Sequence, residues 1–158
     1  MAMKQVARTG FAVANDATDL NQVGTVMYDG ATGKAYKYVQ VEDMDLAAYD
    51  VVAYANATGT EVTQDRAGGS ALSRDFAGVA VNTITDAYYG WVQIQGLATC
   101  RVLQNTAVAA GNRVMLHTTD DGGVIVATTT NARFSFGVAL AADTATTSAD
   151  GTVAVMID

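Results

Sequence analysis

A chain of 158 residues, half of them apolar, suffices for one domain that buries about 70% of the surface its unfolded form would expose. Sixteen acidic against nine basic side chains give a net charge of −7, which opposes partnerships built on neutralising phosphates, so nucleic acid is not an expected ligand. A single cysteine, Cys100, excludes an intrachain disulfide, and no apolar run approaches a membrane span, so no membrane partner is expected either.

In chain order, the first fifteen residues hold Lys4 and Arg8 and no acid, which leaves −9 on the remainder. The early apolar run, Phe11 to Ala14, falls short of the roughly 7 to 15 residues of a secretory signal, so the protein is expected to fold where it is synthesised. Residues 1–19 read as an extended N-terminal arm, and residues 20–158 as a single β domain. Proline is absent, so turns fall to Gly, Asn and Asp. Three segments, "YDGATGK" (28–34), "YANATGT" (54–60) and "HTTDDGG" (117–123), lie between alternating or β-branched runs and predict hairpins. The stretch "VEDMDLAAYD" (41–50) has too few apolar positions to define a helical face. Its acids, Glu42, Asp43 and Asp45, lack the spacing and the glycine of a calcium loop. "RAGGS" (66–70) is glycine-rich but lacks the longer pattern of a phosphate cradle, and a surface loop is expected there.

In "FAGVAVNTITDAYYGWVQIQG" (76–96), strand parity puts Trp91 on the face of Gln93 and Gln95, opposite Val92 and Ile94. A large aromatic on a polar face beside Tyr88 and Tyr89 predicts a contact surface, unless a loop of the same chain covers it. "LATCRVLQ" (97–104) reads as a connecting strand with Cys100 pointing inward. The one histidine, His117, sits at a turn edge, and no Ser–His–acid set can be assembled without it, so neither catalysis nor a cofactor is expected. With one Cys and one His a zinc site is not expected, and no other metal site is either.

Much of the chain is written twice. "LAAYDVV" (46–52) parallels "VAAGNRV" (108–114), Gly78-Val79-Ala80-Val81 parallels Gly137-Val138-Ala139-Leu140, and Gly90-Trp91-Val92-Gln93-Ile94 parallels Gly151-Thr152-Val153-Ala154-Val155. The repeat halves run from about 46 to 96 and from 108 to 158. With the N-terminal hairpin this amounts to about ten short strands, and the expected fold is all-β: a β-sandwich or β-barrel built on a duplicated β unit.

The order of "FAGVAVNTITDAYYGWVQIQGLATC", "VAAGNRVML" and "FGVALAADTATTSADGTVAVMI" resembles the capsid cement, or decoration, proteins of tailed bacteriophages. The match covers residue 76 to the C-terminus and departs at Asn112, where an acid is more usual. The resemblance implies a non-enzymatic structural protein of the virion. It would bind the major capsid protein on the outer surface of the assembled head as a homotrimer and stabilise the shell against internal pressure. On that reading Lys4, Arg8 and Phe11 of the arm are the expected capsid-binding residues, and Tyr88, Tyr89 and Trp91 the expected contact between copies. The alternative is a glycan-binding or host-adhesion module on the virion, with the same aromatics stacking on sugar rings.

Overall fold

The computed structural model describes residues 14–65, 75–146 and 148–158. It contains ten strands: β1 (Val26–Asp29), β2 (Lys34–Val41), β3 (Val51–Tyr54), β4 (Glu61–Thr63), β5 (Phe76–Ala80), β6 (Tyr89–Val102), β7 (Arg113–Leu116), β8 (Val124–Val126), β9 (Gly137–Ala139) and β10 (Gly151–Ile157). One 3₁₀ turn, Ala132–Phe134, is the helical structure among the described residues, and none of their helices could cross a membrane. The protein is all-β, as its composition predicts.

Each of the three turn segments joins an antiparallel pair: β1 with β2, β3 with β4, and β7 with β8. The pairs then close into rings. In the first barrel β2 runs parallel to β4 through Gln40 opposite Glu61 and Val41 opposite Val62, and the ring continues through β3, β5 and β6 back to β2. In the second ring β6 pairs with β10, then β9, β7 and β8 follow, and β8 returns to β6 through a single parallel pairing, Val102 opposite Val124. Closure leaves neither ring with an unpaired edge to manage.

Strand β6 belongs to both rings. The sequence reading gives 97–104 as a connecting strand; in the structure its first six residues continue, without a break, the strand that begins at Tyr89, which has fourteen residues in all. Gly96 lies where the two parts join. It holds φ +87°, and a Cβ there would lie 2.9 Å from the Gly33 carbonyl oxygen, so only glycine passes through that point without strain. Before it β6 pairs with β2 and β5; from it onward β6 pairs with β10.

The duplication is visible bond by bond. The Ala47 N–H donates to Asp50 Oδ2 and the Asp50 N–H to the Ala47 carbonyl; 62 residues later the Ala109 N–H donates to Asn112 Oδ1 and the Asn112 N–H to the Ala109 carbonyl. Tyr49 and Gly111 occupy the same left-handed position, φ +77° and +83°, and donate to the Ala80 and Ala139 carbonyls. The last strand pair needs a correction of register. Ala80 faces Val92, which faces Lys37, whereas Ala139 faces Val155, which faces Ala98. Val92 therefore has the place of Val155, not Val153. A slip of two residues preserves which face each side chain takes, so alternation alone could not reveal it.

Inward residues form two cores. Val39, Val41, Leu46, Val52, Val62, Ile84 and Val92 fill the first barrel. Cys100, Val102, Val114, Leu116, Val124, Val153 and Val155 fill the second, and the outward Val51, Ala53 and Val79 of the first barrel join them. Phe76 stacks on Phe136 at 4.0 Å, which welds the two rings through an apolar seam.

Candidate interaction surface

The outer face of the first barrel is aromatic. Tyr38 of β2 lies directly across from Trp91 of β6, and their rings are 5.0 Å apart at a tilt of 54°. Tyr89 stacks against Tyr38 at 6.2 Å, and Tyr36 faces Gln93 in the next row. Parity places Trp91 as the sequence suggests, on the side of Gln93, but the ring is only 6% exposed. The chain covers it. Ala14 joins the buried cluster of Tyr36, Tyr38 and Trp91, Asp16 forms a backbone bridge with Tyr89, the Tyr38 hydroxyl donates to Asp16 Oδ2 at 2.6 Å, and the Gly24 N–H donates to the Tyr38 carbonyl. Burial, together with the Asp16 carboxylate, pushes the Tyr38 phenol up to about 12.

The expectation of an exposed platform at Tyr88, Tyr89 and Trp91 is thus corrected. Tyr88 packs against the first barrel's core and Tyr89 against the Tyr38–Trp91 cluster, both half-buried, and Trp91 already spends its surface inside its own chain. Lys4, Arg8 and Phe11, like the "RAGGS" loop, lie outside the described residues. Cys100 is fully buried in the second core, and desolvation raises its thiol to about 12, which makes it inert. His117 turns its Nδ1 toward its own loop, accepting the Asp120 N–H at 3.1 Å. Among the described residues no group of three or more His, Cys, Asp or Glu is placed to hold a metal.

Two features carry no local sequence signal. The first is an ionic junction. Asp50, 1% exposed, accepts Arg101 Nη1 at 3.0 Å, while Arg101 also grips Asp150 through Nη2 at 2.6 Å and Nε at 3.0 Å. These groups come from the turn before β3, from β6 and from the entry to β10, so the arginine ties both repeats to the shared strand. The two carboxylates move oppositely. Desolvation raises Asp50 despite the Ala47 N–H and Arg101, whereas Arg101 and then the Gln104 N–H lower Asp150, which water reaches.

The second feature is the outer face of the second barrel. Leu97, Met156 and Val138 stand side by side across β6, β10 and β9, and Thr99, Ala154 and Leu140 form the next row. Leu97, Met156 and Leu140 are 44%, 41% and 52% exposed, and none of the six is charged. By the ladder equivalence these positions correspond to Tyr36, Gln93, Val79, Tyr38, Trp91 and Val81 of the first barrel, five of which are buried. Beside Thr99, where the two faces meet, opens a cleft of about 160 Å³ lined by Lys34, Tyr36, Tyr49, Val79, Ala80, Val81, Gln93 and Thr99.

No protein-family model matches the chain, and no curated protein sequence is similar to it. Among solved structures, the N base of head fiber gp8.5 of bacteriophage phi29 is similar, with a TM-score of 0.50 over 79% of this chain and 94% of that one. Sequence identity is 17%, so what the two chains share is the fold.

Proposed function

We propose that this chain is a structural protein of a phage particle, bound to the outer surface of the head, where it acts as a cement or decoration protein on the major capsid protein. The observation that carries the reading is the shared fold with the base of a phage head fiber. The build of the molecule suits the role. Two closed rings that share one strand, with β1 added outside the first, make a body whose product is contact area. A protein that binds only the assembled shell stabilises it by its binding free energy, and many copies, each touching several shell subunits, multiply the effect. Association of the copies into a trimer on the head belongs to the same proposal.

The arm supplies the attachment: Lys4, Arg8 and Phe11 lie along the shell, with strand addition to a shell edge as the mode of contact. The sugar-stacking alternative loses Trp91 from its platform of Tyr88, Tyr89 and Trp91, because another segment of the chain covers the indole. The test uses heads that lack the protein. Full-length chain is expected to bind them and to raise the temperature at which they release DNA, and chain lacking residues 2–12 to bind them weakly. Heads that release DNA at the same temperature with and without bound protein overturn the cement role; undiminished binding of the shortened chain discards the arm.

A further inference from the structure

The cleft of about 160 Å³ beside Thr99 is furnished with groups that the fold does not demand. Tyr36, Gln93 and Tyr49 stand where the other repeat has Leu97, Met156 and Gly111, and that repeat closes its ring without them. Gln93 is 7% exposed, and burying an amide costs stability unless its polar atoms are bonded. Its Nε2 donates to the Gln95 and Leu97 carbonyls, both at 3.0 Å, which fixes the amide's orientation and uses both N–H groups. Its Oε1 accepts nothing from the described residues and is left as an acceptor in the cleft wall. Lys34 lines the same cleft, half-buried beside Gly96, and among the described residues no ion pair or hydrogen bond holds its ammonium. Asp29, across the ladder from Lys34, turns its carboxylate to the Ala31 N–H and the Thr32 hydroxyl instead. Tyr49, left-handed at φ +77°, sets a half-exposed ring at the cleft's mouth, and non-glycine strain of this kind persists where the side chain has a use.

We infer that this cleft binds an acidic sugar: one pyranose ring that carries a carboxylate. Size comes first. A cavity of about 150 Å³ accepts one benzene ring, whereas sites for larger organic ligands run to roughly 300–1,000 Å³, so the cleft suits a single ring. Charge comes next. A lone ammonium on a molecule of net charge −7 matches one carboxylate, while a phosphate dianion would find neither a second cation among the lining residues nor a helix N-terminus. Hydrogen bonding selects the class. Gln93 Oε1 requires a donor, and an ionised Asp or Glu side chain only accepts, so an acidic peptide side chain would pair with Lys34 and leave the glutamine unmatched. A sugar acid offers both, since its carboxylate accepts from Lys34 and a ring hydroxyl donates to Gln93. The Thr99 hydroxyl and the Tyr49 phenol serve its other hydroxyls, and the C–H face of the ring lies against Tyr49 and Val81.

The inference goes beyond the cement role and does not rest on it, because binding is measured on the free protein, without heads. Full-length chain is titrated by saturation-transfer NMR and calorimetry with the methyl glycosides of glucuronic, galacturonic and mannuronic acid. The same titration is made with the neutral methyl glycosides of glucose, galactose and mannose, and with N-acetylglutamate blocked at its α-carboxyl. At least one uronide is expected to bind with a Kd of roughly a millimolar, and its neutral counterpart at least about tenfold more weakly, the effect of one charge-assisted hydrogen bond. Lys34→Met is expected to abolish that preference. Gln93→Met, which takes the residue type of the other repeat, and Tyr49→Gly are each expected to weaken both sugars by at least about tenfold, with the far-UV circular dichroism spectrum unchanged. If Gln93→Met fails to fold, the other two variants carry the test. Binding of no uronide overturns the inference, as does equal binding of a uronide and its neutral counterpart, or unaltered affinity in Lys34→Met and Tyr49→Gly. Equal binding of the glutamate derivative also overturns it and assigns the cleft to an acidic peptide. A uronide that binds, with heads that never take up the protein, upholds the inference and sinks the proposed function; the converse result keeps the function and sinks the inference.

Discussion

Trp91 shows what a single residue's pattern can and cannot tell. Alternation with Val92 assigns its face correctly, but alternation carries no information on what lies over a face, and here the covering segment is some seventy residues away in sequence. Trp91→Ala is accordingly expected to destabilise the isolated chain by about 3–5 kcal/mol, measured by urea denaturation, whatever its effect on assembly. Tyr49→Gly should act in the opposite direction. Relief of its left-handed strain is expected to stabilise the fold by about 1 kcal/mol, measured by urea denaturation, and a loss of stability would show the ring to be structural. Asp50 gives a pH prediction. Its raised pKa means that its contribution is fully present below the ordinary value of 3.8 and is lost as pH rises through the folded value. Asp150, with a lowered pKa, contributes above 3.8 and loses that contribution as pH falls through its folded value. Asn112 fills the same turn in the other repeat, so Asp50→Asn retains the local hydrogen bond. Relative to this variant, the wild type is expected to gain stability between neutrality and pH 4. Parallel curves of melting temperature against pH would refute the assignment. The pairing of Asp50 with Arg101 and of Arg101 with Asp150 spans about fifty residues each way, which is why no motif in the sequence points to it.

At the scale of elements, the hairpins were legible because their chemistry is local: glycine at the turn between β-branched runs is enough to define them. Ring closure was not. Each ring is completed by one or two parallel pairings, Val41 with Val62 and Val102 with Val124, which are long-range contacts between short strands with no signature of their own. Strand β6 lay hidden for a different reason, since a glycine that permits an unusual backbone inside a strand looks in sequence like one that ends it. Gly96→Ala is expected to lower stability by about 1–3 kcal/mol, through its positive φ and the approach of the Gly33 carbonyl, and an unchanged urea midpoint would mean that β6 tolerates a break there.

Across the whole molecule, the two rings cannot behave as independent units, because loss of either removes half the partners of the strand that the other needs. The chain carries its own pair of reporters: one tryptophan on the first barrel and one cysteine inside the second. Urea unfolding followed by Trp91 fluorescence and by the reactivity of the Cys100 thiol is expected to give coincident midpoints, and separated midpoints would mean that the barrels melt one at a time. The shared strand also has a mechanical meaning. Fourteen residues at about 3.3 Å each form a backbone rod of about 46 Å running from one barrel into the other. A tensile load that draws the barrels apart is therefore borne by covalent bonds along that rod, and the ladders on either side are loaded in shear, with many hydrogen bonds resisting together instead of opening in succession.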